Sequence, residues 1–356
     1  MSVRLPPSAR VCLVMMSAIG DSVHALPVVT ALKRHDPTLH LTWILQPGPA
    51  SMIAGHPEVD EIIIFERSRG LGAYRDMRRK LARRRFDLVL DLQVYFKASV
   101  VTALIDAPVK LGFDRARARD FNWLVTTHRI PPHAPQHVQD QYFEFLEYLG
   151  VSAEPVEWKL GPWPHEREAQ RALLAKYDRP VACLAVGSSE ARREWDPVCW
   201  AELSDALHRD FGLQPVLIGG ASPRELESER RIREVATHPI ESMLGSSLRE
   251  MVWLIEGAAL TISLNSAPLH ISVAVNTPVV GLMARRNPKR TGPYRFRELM
   301  VDAYGEPGED YPISLETRPG GLEKVSVEDV LEKVRLWRER YRISRPESPR
   351  EVPADE

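Results

Sequence analysis

The sequence predicts an α/β protein made of two doubly wound parallel-sheet domains facing across a cleft, and three observations predict it. At 356 residues the chain exceeds one ordinary core and calls for two domains. Short continuous apolar runs, of a length that suits buried parallel strands, alternate with segments of helical spacing through both halves. Small-residue loops follow several of those runs and open helices, the arrangement that binds ligands at the carboxyl edge of an open α/β sheet.

Composition narrows the class. Apolar residues make up 44% and charged residues 27% of the chain, as in soluble globular domains. A net charge of −1 gives no overall bias towards nucleic acid. Cys12, Cys183 and Cys199 form no C-x-x-C pair, and two of them lie in strand-like runs, so free buried thiols in a reducing compartment are expected. The first apolar run spans only six residues and has no small-residue cleavage site, which argues against a signal peptide. No run reaches the roughly 18 apolar residues of a membrane span. A cytoplasmic location is therefore expected.

In chain order, residues 11–16 form the first strand. It runs into Ser17-Ala18-Ile19-Gly20-Asp21, after which Val23, Leu26, Val29 and Leu32 continue at helical spacing. Asp21 sits at the mouth of this turn; the plain alternative to a chemical role is that Asp21 or Ser22 only caps the helix. A second strand, 39–45, ends at Leu45-Gln46 with no acid to hold a ribose diol, and the first turn lacks G-x-G-x-x-G. Both absences argue against a dinucleotide oxidoreductase. A third strand covers 62–65. Residues 67–85 then hold nine Arg or Lys against one acid, Asp76, while Leu71, Tyr74, Met77 and Leu81 recur on one face. This is an amphipathic helix with an arginine-rich outer side. Those arginines form either a solvated face or a surface for an anionic membrane or phosphorylated acceptor, worth about 1 kcal/mol per basic residue. Arg67 and Arg69 precede the helix and are the better candidates for ligand contact.

A fourth strand, 88–92, leads into a helix opening over 93–99, and a fifth, 109–113, into a basic loop with Arg115, Arg117 and Arg119. A helix starts at His137 and stops at Gly150. The proline-rich, aperiodic residues 151–164 mark the domain boundary. The second half repeats the alternation. Strand 181–186 ends in Gly187-Ser188-Ser189; a charged loop, 190–194, precedes a helix capped by Asp196 with Pro197 in its first turn. Strand 215–218, helices 223–235 and 248–256, and strand 260–264 follow. Asn265-Ser266-Ala267-Pro268-Leu269-His270 then opens a helix that would offer backbone N–H groups and a hydroxyl to phosphate, and Arg193 could add positive charge. Strand 278–283 ends in Ala284-Arg285-Arg286-Asn287-Pro288. A last amphipathic helix runs from Val327 to Tyr341, and disorder is expected from residue 344.

Taken in order, these blocks resemble a known family. The stretch from Ser17 to Pro27 is similar to the N-terminal signature of bacterial lipopolysaccharide heptosyltransferases, glycosyltransferase family nine. The similarity continues through Asp91-Leu92-Gln93 with Lys97-Ala98-Ser99, Gly112-Phe113-Asp114-Arg115-Ala116-Arg117 and His137 with Tyr142. It extends through Gly187-Ser188-Ser189 with Arg193-Glu194-Trp195, Asn265 to His270, and Arg290-Thr291-Gly292-Pro293-Tyr294.

The resemblance implies a GT-B fold, two Rossmann-like domains facing across a cleft: residues 1–158 for the acceptor and 159–325 for the nucleotide-sugar donor. It also implies a C-terminal helix, 326–343, packing back on the first domain, ahead of a tail over 344–356. The implied activity is inverting, metal-independent transfer of heptose from ADP-heptose to the inner core of lipopolysaccharide, with no cofactor. By resemblance Asp21 is the catalytic base, and Lys97 is a basic residue facing the reaction centre. Gly20, Ser188, Ser189, Arg193, Glu225, Asn265, Ser266, Ala267 and His270 bind the donor, and Arg67, Arg69, Arg115, Arg117 and Arg119 face a lipid-linked core acceptor. Peripheral contact with the inner face of the inner membrane is implied as well. Two departures stand out: Asn265-Ser266-Ala267 replaces an acidic residue followed by Ser/Thr-Gly, and Ala284-Arg285-Arg286 replaces a Gly-Pro start. The alternatives are transfer of another nucleotide-activated sugar to a cell-surface glycan, and a non-catalytic sugar-nucleotide binder.

Overall fold

The computed structural model describes residues 5–188, 190–306 and 308–341, so Ser189 and the tail over 344–356 lie outside the described residues. The first half comprises β1 (Arg10–Val14), α1 (Ile19–His35), β2 (His40–Leu45), α2 (Pro47–Ile53), β3 (Glu61–Ile64) and α3 (Leu71–Leu81). It continues with β4 (Leu88–Asp91), α4 (Phe96–Leu104), β5 (Val109–Gly112), β6 (His128–Arg129) and α5 (Val138–Leu149). The second half comprises α6 (Arg167–Leu174), β7 (Val181–Ala185), α7 (Pro197–Phe211), β8 (Gln214–Ile218), α8 (Pro223–Val235) and β9 (Glu241–Ser242). Then come α9 (Leu248–Gly257), β10 (Leu260–Leu264), α10 (Ala267–Ala274), β11 (Val279–Met283), α11 (Pro288–Thr291), β12 (Val301–Asp302) and α12 (Val327–Tyr341).

The apolar runs become strands because both sheet faces are covered. Every residue of β4, β7, β10 and β11 is buried. All strand pairs are parallel, with registers such as Leu13↔Trp43 in the first sheet and Ile262↔Leu184 in the second. The sheet orders are β3-β2-β1-β4-β5-β6 and β12-β11-β10-β7-β8-β9. Each reverses direction once, between β1 and β4 and between β7 and β10. Those two crevices are where such sheets place their ligands.

Local chemistry sets the helix ends. The Asp196 carboxylate accepts from the Val198 N–H at 2.9 Å to start α7, and Gly212 ends it at φ 65. Ser222 and Glu225 form a reciprocal capping box on α8. The three two-residue strands, β6, β9 and β12, and the short α2 were not anticipated, because segments so brief carry no periodicity to read.

One apolar cluster joins the halves: Leu26 and Val29 of α1 belong with Leu269 and Ile271 of α10. Arg249 of α9 pins the same junction. Its guanidinium donates to Met52 O at 2.9 Å and Leu160 O at 3.0 Å, pairs with Glu166, and lies 3.6 Å from the Trp163 ring centroid. The final helix corrects the expectation that it returns to the first domain. Val330, Val334 and Trp337 of α12 are buried in the cluster of the second sheet with Trp200 and Leu299, and Tyr341 bonds to Glu298. The apolar stripe of α12 finds its partner beside α7 and β12, the nearest uncovered surface.

Candidate active site

The crevice of the first sheet holds the predicted base. The N-cap of α1 is Ala18 rather than Asp21 or Ser22, and Asp21 stands at the third helical position, where its Oδ2 accepts from the Ala18 N–H at 3.0 Å. Among the described residues its second oxygen accepts no hydrogen bond, so the carboxylate both fastens the turn and keeps one oxygen free. The loop is braced from β4. Gln93 accepts from the Met16 N–H at 3.2 Å and donates to Ser17 O, while the Lys97 ammonium donates to Ser17 Oγ. Burial, and then Arg67, pull the Lys97 pKa down against the opposing pull of Asp21. Lys97, Arg67 and Asp21 therefore share one electrostatic neighbourhood. Beneath them Asp91 is fully buried, held by Asn122 at 2.8 Å and Thr102 at 2.9 Å; burial raises its pKa to about 6.

The crevice of the second sheet holds the predicted donor residues. Arg193 pairs with Glu190, and its buried Nε has no partner. With Arg192, Asn265, Arg285 and Arg286 it lines a small cavity at the strand ends. Burial, and then the charge of Arg286, lower the Arg193 pKa against the opposing pull of Glu190. Ser266 is the N-cap of α10 in position, yet its hydroxyl makes no bond to the first turn of that helix and instead faces Leu264 O at 3.4 Å. Asn265 donates to Thr291 Oγ1 at 3.2 Å, tying the donor loop to α11. A larger groove nearby, lined by Trp195, Cys199, Arg224 and Arg231 among others, includes none of these residues.

Several predicted residues take other duties. Both carboxylate oxygens of Glu225 are engaged: one accepts from the Gly220 N–H at 2.7 Å, the other from the N–H and hydroxyl of Ser222. A Cβ on Gly187 would overlap Glu225 at 2.0 Å, so this side chain supports the glycine turns of the donor loop. Gly20 faces the other half: an added Cβ would lie 2.9 Å from His270 Cδ2. Arg117 is spent on Asp114, Glu144 and Pro131 O, and Arg69 on Asp76. Arg115 lies 4.4 Å over the Trp123 ring. Arg67 and Arg119 have no ion pair among the described residues, and each is an electrostatic neighbour of a cleft cation, Lys97 and Arg290 respectively. Of the five acceptor arginines, Arg67, Arg115 and Arg119 therefore have no ion pair among the described residues, Arg115 resting on a ring instead. The acids that claim the others lie up to 27 residues away, which no local pattern announces.

Between the crevices lie His24, His137 and Arg290, which carry no assigned role, together with His270 of the expected donor set. His24 of α1, His137 at the cap of α5 and His270 of α10 converge, with ring centroids 5.8 Å apart for His24–His137 and 4.3 Å for His24–His270. His137 Nδ1 accepts from the Gln139 N–H at 3.0 Å, so Nε2 carries the proton and donates to Gly292 O at 3.0 Å. Burial lowers all three pKa values, that of His137 to about 3, and keeps the rings neutral. Arg290 of α11 points into the same junction. Its electrostatic neighbours are Tyr142, Asp21, Arg286 and Arg119, and among the described residues its guanidinium has no hydrogen bond or ion pair. Burial lowers its pKa first. His137, Tyr142 and Arg290 stand in matched blocks, but only the approach of the two halves gives them a common centre.

Comparison with known proteins places this geometry. The family model described as Glycosyltransferase family 9 (heptosyltransferase) matches residues 74–308. The lipopolysaccharide core heptosyltransferase OpsX of Haemophilus influenzae is 27% identical over 330 residues, 90% of this chain and 94% of that protein. Lipopolysaccharide heptosyltransferase 1 of Pseudomonas aeruginosa is 24% identical, over 86% of this chain and 85% of its own. Among solved structures, a glycosyl transferase family 9 protein from Veillonella parvula aligns with a TM-score of 0.78 at 20% identity, covering 93% of this chain and 98% of that one. E. coli heptosyltransferase WaaC with ADP aligns at 0.75 and 21% identity, over 92% and 99%.

Proposed function

Since the chain belongs to glycosyltransferase family 9, the heptosyltransferase family, we propose that it transfers heptose from ADP-heptose to the inner core of a lipid-linked lipopolysaccharide acceptor, with inversion. The observation that carries the reading is Asp21: a carboxylate with one unbonded oxygen at the crevice of the first sheet, set against Arg290 from the second half. In this reading the free oxygen removes the proton of the acceptor hydroxyl as that hydroxyl attacks the anomeric carbon. The bond to the nucleotide diphosphate breaks on the opposite side, and its developing charge meets Arg193, Arg286 and the first turn of α10. Lys97, Arg67 and Arg119 supply positive charge on the acceptor side. Residues 1–158 then serve the acceptor and 159–325 the donor, on the cytoplasmic side of the membrane that holds the lipid. No helix is long and apolar enough to cross it among the described residues.

Incubation with ADP-heptose and defined core acceptors, read by mass spectrometry together with ADP release, tests the reading. Product and ADP should appear together. Asp21→Asn should lower turnover by about two to four orders of magnitude while ADP affinity stays near that of the parent. Binding of ADP-heptose without release of ADP would leave a non-catalytic binder. Near-normal turnover in Asp21→Asn would leave the carboxylate only its duty at the Ala18 turn.

A further inference from the structure

The Arg290 guanidinium has no hydrogen bond or ion pair among the described residues, so its place depends on the backbone that carries it. That backbone is α11, a single turn over Pro288–Thr291, and both halves of the molecule grip it. From the second half, Asn265 of the donor loop donates to Thr291 Oγ1 at 3.2 Å. The Thr291 hydroxyl itself donates to Asn287 O at 3.3 Å, so its partner at position 265 must be a donor. An amide can donate there and a carboxylate cannot, which accounts for Asn265 where the resemblance would place an acid. From the first half, His137 Nε2 donates to Gly292 O at 3.0 Å, directly after α11. Two residues on, the Tyr294 hydroxyl donates to Asp140 of α5 at 2.7 Å.

The imidazole can make its contact in one way only. Nδ1 accepts from the Gln139 N–H at 3.0 Å as the cap of α5, which leaves the proton on Nε2. The ring is 3% exposed and lies 5.1 Å from the Tyr294 ring, and Gly292 is buried as well. Gly292 uses its N–H to close the turn on Pro288 O at 2.8 Å and its carbonyl to accept from His137. A long side chain with a free head group keeps many rotamers, and fixing its base before the ligand arrives lowers the cost of binding. The neighbours of Arg290 come from both halves, Asp21 and Tyr142 from the first and Arg286 from the second. A small shift of α11 would therefore move the guanidinium relative to both crevices at once.

We propose that His137 is a positioning residue: through the Gly292 carbonyl it holds α11 so that the Arg290 guanidinium stands ready for the nucleotide diphosphate beside the Asp21 turn. The proposal deepens the reading above and rests on it for the diphosphate being the ligand. Asn265 holds the same turn from the donor side, so the arginine is set jointly by the half that carries the base and the half that carries the donor loop.

Two substitutions separate the two duties of the ring. His137→Asn keeps an acceptor for the Gln139 N–H, since Asn is a good cap, but is too short to reach Gly292. His137→Gln offers an N–H about as far out as Nε2. Calorimetric titration with ADP and with adenosine reads both. His137→Asn should weaken ADP by about three- to tenfold, the range for one hydrogen bond, and leave adenosine near the parental value. His137→Gln should recover most of the loss. In an Arg290→Ala background the His137→Asn step should have almost no further effect on ADP. The same loss with and without Arg290 overturns the proposal, as does a loss that falls equally on adenosine. A lowered Tm with parental ADP affinity would leave His137 a fastener of the fold and overturns it too. Should His137→Asn fail to fold, Tyr294→Phe goes through the same cycle, because it keeps the ring against His137 and loses only the bond to Asp140; additivity with Arg290→Ala overturns the proposal there. ADP binding needs neither heptose nor a lipid acceptor, so the clamp is decided even if another sugar is transferred. A parent that binds no ADP would sink the donor reading and the proposal together, whereas ADP binding with additive effects sinks the proposal alone.

Discussion

At the residue scale, the arginines show how identity and role separate. Of the five assigned to the acceptor by position, Arg117 is locked by two acids and a carbonyl, and Arg69 is paired with Asp76. Arg290, assigned nothing, stands unpaired between Arg286 and Asp21. A guanidinium removed from most solvent without a partner is costly unless an anion arrives. In the proposed reaction the leaving diphosphate is that anion. Arg290→Ala should therefore weaken ADP by roughly 1.5–3 kcal/mol, the range for hydrogen bonds to charged groups, and leave adenosine unaffected; calorimetric titration with both ligands checks this. Arg290→Lys should recover part of the loss. If ADP binds both proteins equally while the acceptor KM rises, Arg290 serves the acceptor instead.

At the element scale, α1 and α10 are two helix starts pressed together, and Gly20 permits the approach. A Cβ there would lie 2.9 Å from the His270 ring, whose Nδ1 is buried and unpartnered. Gly20→Ala should destabilise the parent by about 1–3 kcal/mol, the cost of overpacking a closed contact. In a His270→Ala background the same substitution should be close to neutral. Denaturant unfolding of the four proteins measures that coupling. Strict additivity would mean that the two residues do not meet. The backbone N–H groups of α10 and the fastened Asp21 turn lie on either side of this contact, so the spacing of the two helix starts depends on it.

At the scale of the whole molecule, the junction of the two halves carries a pH dependence. His137 has its pKa lowered to about 3 by burial, and His56, buried against Trp158 O, to about 4; His24 and His270 shift the same way. A histidine depressed on folding contributes stability that is present above about pH 6.5, its unfolded value, and is lost as pH falls towards the folded value. Asp91 runs the other way. Raised to about 6, it adds stability that is complete below its unfolded value near pH 4 and fades as pH rises through 6. Four histidines outweigh one aspartate, so Tm should fall between pH 7 and pH 5. His137→Gln should flatten that fall, and calorimetric scans across the range measure it. An unchanged slope in the variant would place the acid sensitivity elsewhere.

The chain by itself determined the alternation of buried strands and helices, the loops at their ends and the placing of Asp21 at the first of them. Each depends on residues within a turn or two of one another: the apolar run before Ser17, the Asp196 cap, the Ser222–Glu225 box. Two-residue strands escaped that reading because they have no period. Only the tertiary structure decided which arginines are free, where α12 lies and why Gly20 is glycine. An arginine is neutralised by whichever acid the fold brings within reach, as Glu144 is brought to Arg117 from 27 residues away. The last helix goes to the surface that its apolar stripe completes, and that surface includes Trp200 and Leu207 of α7 and Val301 of β12, which no local pattern points to. His24, His137 and His270 meet because two separately patterned sheets close on one another, and that closure depends on shape and burial across more than a hundred residues.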